Sequence, residues 1–201
     1  MNKILIIGAG GHGKVVCDIA KTLYKEVLFV DDEKVGQEIL SCPVICSVEE
    51  ALKMEACDFI VAIGGNKTRE KLFYTFLNAG FRAVNLIHKS AVIGEGVEIG
   101  IGSVVFANAV INPDAKIGFG CIINTCASVD HDCVVGDFTH LCPSSHFAGT
   151  VTVGKNCTFG IGSLVINNIN ICSDVCVGAG GVVVKDITEP GTYIGVPARL
   201  K

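Results

Sequence analysis

The chain contains no Lys/Arg run longer than two residues and carries a formal net charge of -4. It therefore lacks the electrostatic footprint that nucleic-acid binding requires. Half of its residues are hydrophobic, yet charges, Asn or Gly interrupt every apolar stretch well short of the roughly 18 residues a membrane span needs. No span is expected. The start, MNKILIIGAG, runs into a glycine turn rather than a small-residue cleavage site and reads as a first strand. CxxC pairs are also missing, and the eleven cysteines are odd in number, which argues against a disulfide framework or a compact zinc knuckle. Most of them read as small core residues in a reducing cytoplasm.

What is present changes character along the chain. Residues 1–88 alternate strand-like and helix-like runs. KILIIG, EVLFVDD and DFIVAIG read as strands, FRAVNLIH returns to extended structure, three or four strands in all, and Val16, Ile19, Ala20 and Leu23 fall at helical spacing. Leu72, Phe73, Phe76 and Leu77 define a second helical face, ended by Gly80 as a left-handed stop.

From Ala91 to Asp186 the chain divides into sixteen consecutive hexads, among them CIINTC, ASVDHD and SHFAGT. The third residue of each is Ile, Val, Leu or Phe, and the first is mostly small. Neither the helical nor the strand period preserves that register, whereas short strands joined by corners around a triangular prism do. Three hexads per coil give a little over five coils. The fold expected is thus an α/β half-Rossmann domain over 1–88 followed by an all-β parallel β-helix over 89–201, closed by the tail ITEPGTYIGVPARLK.

Two stretches carry chemistry. Gly8, Gly10 and Gly13 form GxGxxG between a strand and a helix, and Asp31 and Asp32 follow at the end of the second strand, a dinucleotide fingerprint in which glycines admit a pyrophosphate to a helix N-terminus. A domain of three or four strands suits a mononucleotide better than a dinucleotide. The same turn fits GxxxxGK, but Val15 stands where a nucleoside-triphosphate site needs Ser or Thr. A turn that merely packs strand on helix is the alternative.

The other stretch is ASVDHD, which places His131 between Asp130 and Asp132 at a corner. A neutral imidazole there can take a proton from an attacking nitrogen, with Asp132 fixing the tautomer from the far ring nitrogen. Residues 18 apart stack on adjacent coils, so Gly149 lies one coil above His131. His131 and His140 fall on different prism faces, and one ligand touching both would draw on neighbouring subunits.

GAGGHGK, VDD, IGGNKTRE, NLIH and the hexad array together resemble the bacterial sugar O/N-acyltransferases of the hexapeptide-repeat class, whose members acetylate UDP-4-amino sugars or sialic acid. That resemblance spans the chain and implies a left-handed parallel β-helix and a cytoplasmic homotrimer that uses acetyl-CoA without a metal. It implies a UDP-amino sugar held by Gly10, Gly11, His12, Asp31, Asp32, Asn66 and Arg69. It implies His131, Asp132 and Asn124 as the catalytic set, with Asp132 standing where Glu is usual, and His140, Gly149, Gly178 and Pro197 at the coenzyme, the Gly149 amide as oxyanion donor. O-acetylation of sialic acid or another surface sugar stays open. So do a zinc-dependent hydratase, since HDCVVGDFTHLCPSSH holds three histidines and two cysteines, and a scaffold that binds sugar nucleotides without turnover.

Overall fold

KILII and EVLFV, the first two apolar runs, pair in parallel at the centre of a six-stranded sheet. The computed structural model describes residues 2–201, which divide into a unit ending at Leu86 and a second from Ile87 to Lys201. In the first, the chain runs β1 (Lys3–Ile7), α1 (Gly11–Leu23), β2 (Glu26–Val30), β3 (Glu38–Ile39), β4 (Cys42–Cys46), α2 (Val48–Ala51), β5 (Asp58–Val61), α3 (Asn66–Asn78) and β6 (Arg82–Ala83). Sheet order is β3-β4-β2-β1-β5-β6, parallel except for the β3/β4 hairpin. The chain moves outward from β1 through β2 to β4 and then returns to β1's other side as β5. That reversal makes a crevice at the carboxyl ends of β1 and β5, the place where open α/β sheets bind ligands.

Six strands exceed the three or four expected. The additional ones are β3, of two residues, and β4, whose Pro43 breaks the apolar pattern, while β6 falls in FRAVNLIH. On α1, Val16, Ile19 and Ala20 are buried as their spacing predicts, but Leu23, in the final turn, is 46% exposed. Phe73 and Phe76 of α3 pack on Phe59 of β5 with ring centroids 6.1 and 5.4 Å apart. Gly80 does end this helix with φ +88°.

The second unit is a three-faced parallel β-helix. Its strands pair at a spacing of 18 residues, as in Val104↔Ile122↔His140↔Thr158↔Cys176. Each hexad supplies a short strand at its second and third positions, and the large third side chain joins the small first one inside. Cys121, Cys133 and Cys157 are such first-position residues, fully buried. Every sixth residue from Gly96 to Gly180 has positive φ, because each corner turns through the left-handed region. Phe138 (φ 55°) and Thr150 (φ 61°) occupy it too, at a cost of about 1–3 kcal/mol each that the surrounding ladder sustains. In the tail, Gly191–Ile194 extends one face in parallel and Arg199–Leu200 folds back on it.

Candidate active site

His131 owes its position to the repeat. It sits at the corner that follows the strand Ser128–Val129, and the left-handed Asp132 (φ 59°) turns its carboxylate back onto the ring. His131 Nδ1 and Asp132 Oδ2 are 2.7 Å apart, so Asp spans the gap despite being shorter than Glu. A carboxylate only accepts, so Nδ1 carries the hydrogen and the neutral ring keeps its lone pair on Nε2. The hydrogen bond to Asp132, with the charges of Asp130 and Asp132, raises the imidazole above its ordinary value. Asp130 bonds the backbone beside the ring. Its Oδ1 accepts from the His131 backbone N–H (2.8 Å) and from Asn112 Nδ2 (2.7 Å), one coil below. Gly149 lies against the ring as the 18-residue spacing predicts: a Cβ there would come within 2.6 Å of His131 Nε2 and Cε1.

Cys133 next to it points into the prism, its Sγ donating to Ala148 O at 3.3 Å, and burial pushes that thiol up. It is no nucleophile in this setting. Asn124 contacts His140, Nδ2 to Nε2 at 3.1 Å, on the face of strand His140–Leu141. The third histidine, His146, has Nδ1 2.9 Å from Ser128 Oγ. The three histidines thus have three different partners. Among the described residues, no three His, Cys, Asp or Glu side chains of one chain are grouped to hold a metal ion. Gly178 packs beneath the tail, since a Cβ would meet Ile194 at 2.9 Å, and Pro197 is exposed at the tail's turn.

In the α/β unit the glycines divide into two kinds. Gly8 (φ +109°) and Gly13 serve packing: a Cβ at Gly13 would lie 2.2 Å from Gly8 O. Gly10 and Gly11 face open space at the N-terminus of α1, which has no side-chain cap and no acidic residue in its first turn. Its amides and dipole favour an anion. Around Ala9 the turn is clamped, since Asp31 Oδ2 accepts the Ala9 N–H (2.8 Å) and Lys34 Nζ donates to Ala9 O (2.8 Å). Asp32 accepts the Val48 N–H at the start of α2.

Arg69 does not reach a ligand surface. Only 1% exposed, it donates to Ile63 O, Gly64 O and Asn66 Oδ1 at 2.8–3.0 Å. The Arg69 guanidinium therefore braces the β5–α3 loop from within, while Asn66, half-buried at the start of α3, supports it with its side-chain oxygen. Burial and the charge of Arg69 push His12 down to about 4, so that imidazole is neutral near pH 7. A cavity of about 490 Å³ opens at the carboxyl ends of β1 and β2, lined by Gly8, Asp31, Asp32, Thr68, Lys71 and Thr75 among others. Thr68, Lys71 and Thr75 escaped the sequence reading, although their spacing places them on one face of α3.

Residues 3–76 match the PglD N-terminal domain family. The whole chain is similar to the acetyltransferase domain of PglB from Neisseria gonorrhoeae FA1090, solved in complex with acetyl coenzyme A. The two are 37% identical with a TM-score of 0.95, covering 99% of this chain and 98% of that one. PerB from Caulobacter crescentus, solved in complex with CoA and GDP-perosamine, is 40% identical with a TM-score of 0.90, covering 99% and 97%. UDP-N-acetylbacillosamine N-acetyltransferase of Bacillus subtilis (strain 168) is 34% identical over 113 residues, 53% of this chain and 52% of that protein.

Proposed function

The chain belongs to the hexapeptide-repeat, left-handed β-helix family of sugar N-acetyltransferases that carry a PglD-type N-terminal domain, and from that premise we propose that it transfers acetyl from acetyl-CoA to the amino group of a UDP-linked 4-amino-deoxy sugar, with His131 as general base. The observation that carries the catalytic part is the fixed ring: Nδ1 bound to Asp132 at 2.7 Å and the basic edge held against Gly149. The amine nitrogen attacks the thioester carbonyl, a C–N bond forms and the C–S bond breaks. His131 Nε2 receives the proton that the nitrogen sheds, and the departing thiolate of coenzyme A takes it up. The Gly149 N–H, on the residue beside that ring edge, serves as the oxyanion donor. With Cys133 turned inward, transfer is direct and no acyl-enzyme forms.

The sugar nucleotide binds the α/β unit, its diphosphate over Gly10 and Gly11 and its nucleoside in the cavity at the ends of β1 and β2. UDP is favoured by the similarity to UDP-N-acetylbacillosamine N-acetyltransferase. A GDP-linked sugar is the second reading, favoured by PerB's complex with GDP-perosamine. Because His131 and His140 sit on different faces, one coenzyme touching both joins two subunits, and a homotrimer closes that arrangement. Acetyl-CoA supply and free thiols such as Cys17, which donates to the thiol of Cys42 at 3.6 Å, fit the cytoplasm.

The test is mass spectrometry of UDP- and GDP-linked amino sugars and of sialic acid after incubation with acetyl-CoA. One acetyl gained by a UDP-4-amino sugar is the expected product. Turnover of the GDP sugar alone would replace the nucleotide, and turnover of sialic acid alone would replace the acceptor. Light scattering should give three times the 21.0 kDa chain mass; a monomer would sink the shared coenzyme site.

A further inference from the structure

Two imidazoles of the β-helix are held by partners of opposite hydrogen-bonding character. Asp132 can only accept, which puts the His131 hydrogen on Nδ1. At His140 the neighbour is an amide, and the orientation of that amide is fixed by a third group. The backbone N–H of Thr125 lies 2.8 Å from Asn124 Oδ1. An N–H only donates, so the atom facing it is the amide oxygen; turning the amide over would set its NH2 against another donor. The NH2 end therefore faces His140 Nε2 at 3.1 Å, and a hydrogen on Nε2 would place two donors head to head.

We propose that Asn124 is a positioning residue that locks His140 as the neutral Nδ1–H tautomer, making it a fixed hydrogen-bond donor to an oxygen of the acyl-coenzyme and barring it from proton transfer at Nε2. Backbone geometry supports the lock. Asn124 and His140 sit on consecutive coils of one face, and their strands pair through Ile122↔His140 and Ile123↔Leu141, with the Asn124 N–H bonded to Leu141 O. The ladder that builds the prism thus sets the amide-to-ring distance. A donor-only Nδ1–H matches an acceptor such as a thioester or amide carbonyl. The two histidines then divide the work: one ring offers a lone pair, the other a hydrogen. This assignment extends the acetyl-transfer reading, but its first readout is taken on the free enzyme and does not depend on it.

Proton-detected ¹⁵N correlation spectra of the full chain, histidine-labelled, at pH 7 report the tautomer of each of its five histidines. A His140→Gln spectrum identifies the His140 signals. The expected pattern is a protonated Nδ1 and a bare Nε2 for His140, with the Asn124→Asp variant showing Nε2 protonated, because a carboxylate accepts where the amide donated. A protonated Nε2 in the wild type, or a pattern unchanged in Asn124→Asp, overturns the proposal; if that variant does not fold, the wild-type spectrum decides alone. Asn124→Ala should also lose about tenfold in coenzyme A affinity, the size of one hydrogen bond, with the KM for the sugar unchanged. Loss of activity in His131→Ala bears on the general base and leaves this result untouched.

Discussion

The two units of this chain position their chemistry by different means. In the β-helix the backbone does it. A residue's place in the hexad decides whether it points in, points out or turns a corner, and a step of 18 residues puts it on top of its counterpart, as with Gly149 over His131 and His140 over Ile122. In the α/β unit, side chains do it. Asp31 and Lys34 clamp the N–H and the carbonyl of Ala9, in the two peptide groups that flank it, and Arg69 is spent on the carbonyls of its own loop. A repeat makes geometry local and readable, whereas a crossover fold hides it in long-range polar contacts.

That difference can be broken or sharpened by substitution. The largest effect is expected at the repeat's corner: His131→Ala should lower kcat by roughly 10²–10⁴-fold while nucleotide and coenzyme affinities, read by calorimetry, stay within about twofold.

Acid should single out the α/β unit. An unfolded chain binds the His12 proton near pH 6.5, the folded one only near pH 4. Stability conferred by the neutral ring is therefore complete above about pH 6.5 and is lost as pH falls toward 4, by at most about 3 kcal/mol. Urea denaturation at pH 7 and pH 4.5 measures it, and His12→Gln should remove that part of the slope.

Next come the glycines. Gly13→Ala should destabilise the α/β unit by about 1–3 kcal/mol, since the added carbon meets Gly8 O. Gly11→Ala, which meets nothing, should leave the melting curve in place and weaken sugar-nucleotide binding by about tenfold or less. Equal effects at the two positions would mean that the turn serves packing alone.

How much was legible follows the same division. The coils, their inward cysteines and the His131–Gly149 stack could be read from the sequence, because every sixth and every eighteenth residue repeats an environment. The Asp130–Asn112 brace obeys that same 18-residue step. In the α/β unit the glycine turn and its helix were also legible. The inward turn of Arg69 was not legible, because a polar residue after a strand either faces a ligand or satisfies buried carbonyls, and spacing does not separate these. The two-residue strand Glu38–Ile39 offers no period at all.

The most direct test of the central claim, that His131 is a base tuned by Asp132, is the pH dependence of kcat/KM for acetyl transfer. The carboxylate raises the imidazole, so activity should climb with pH through a value above the ordinary histidine one. In Asp132→Asn the climb should shift to lower pH and end on a lower plateau, as befits a weaker base. An ascending limb that stays in place when Asp132 is changed would contradict the account.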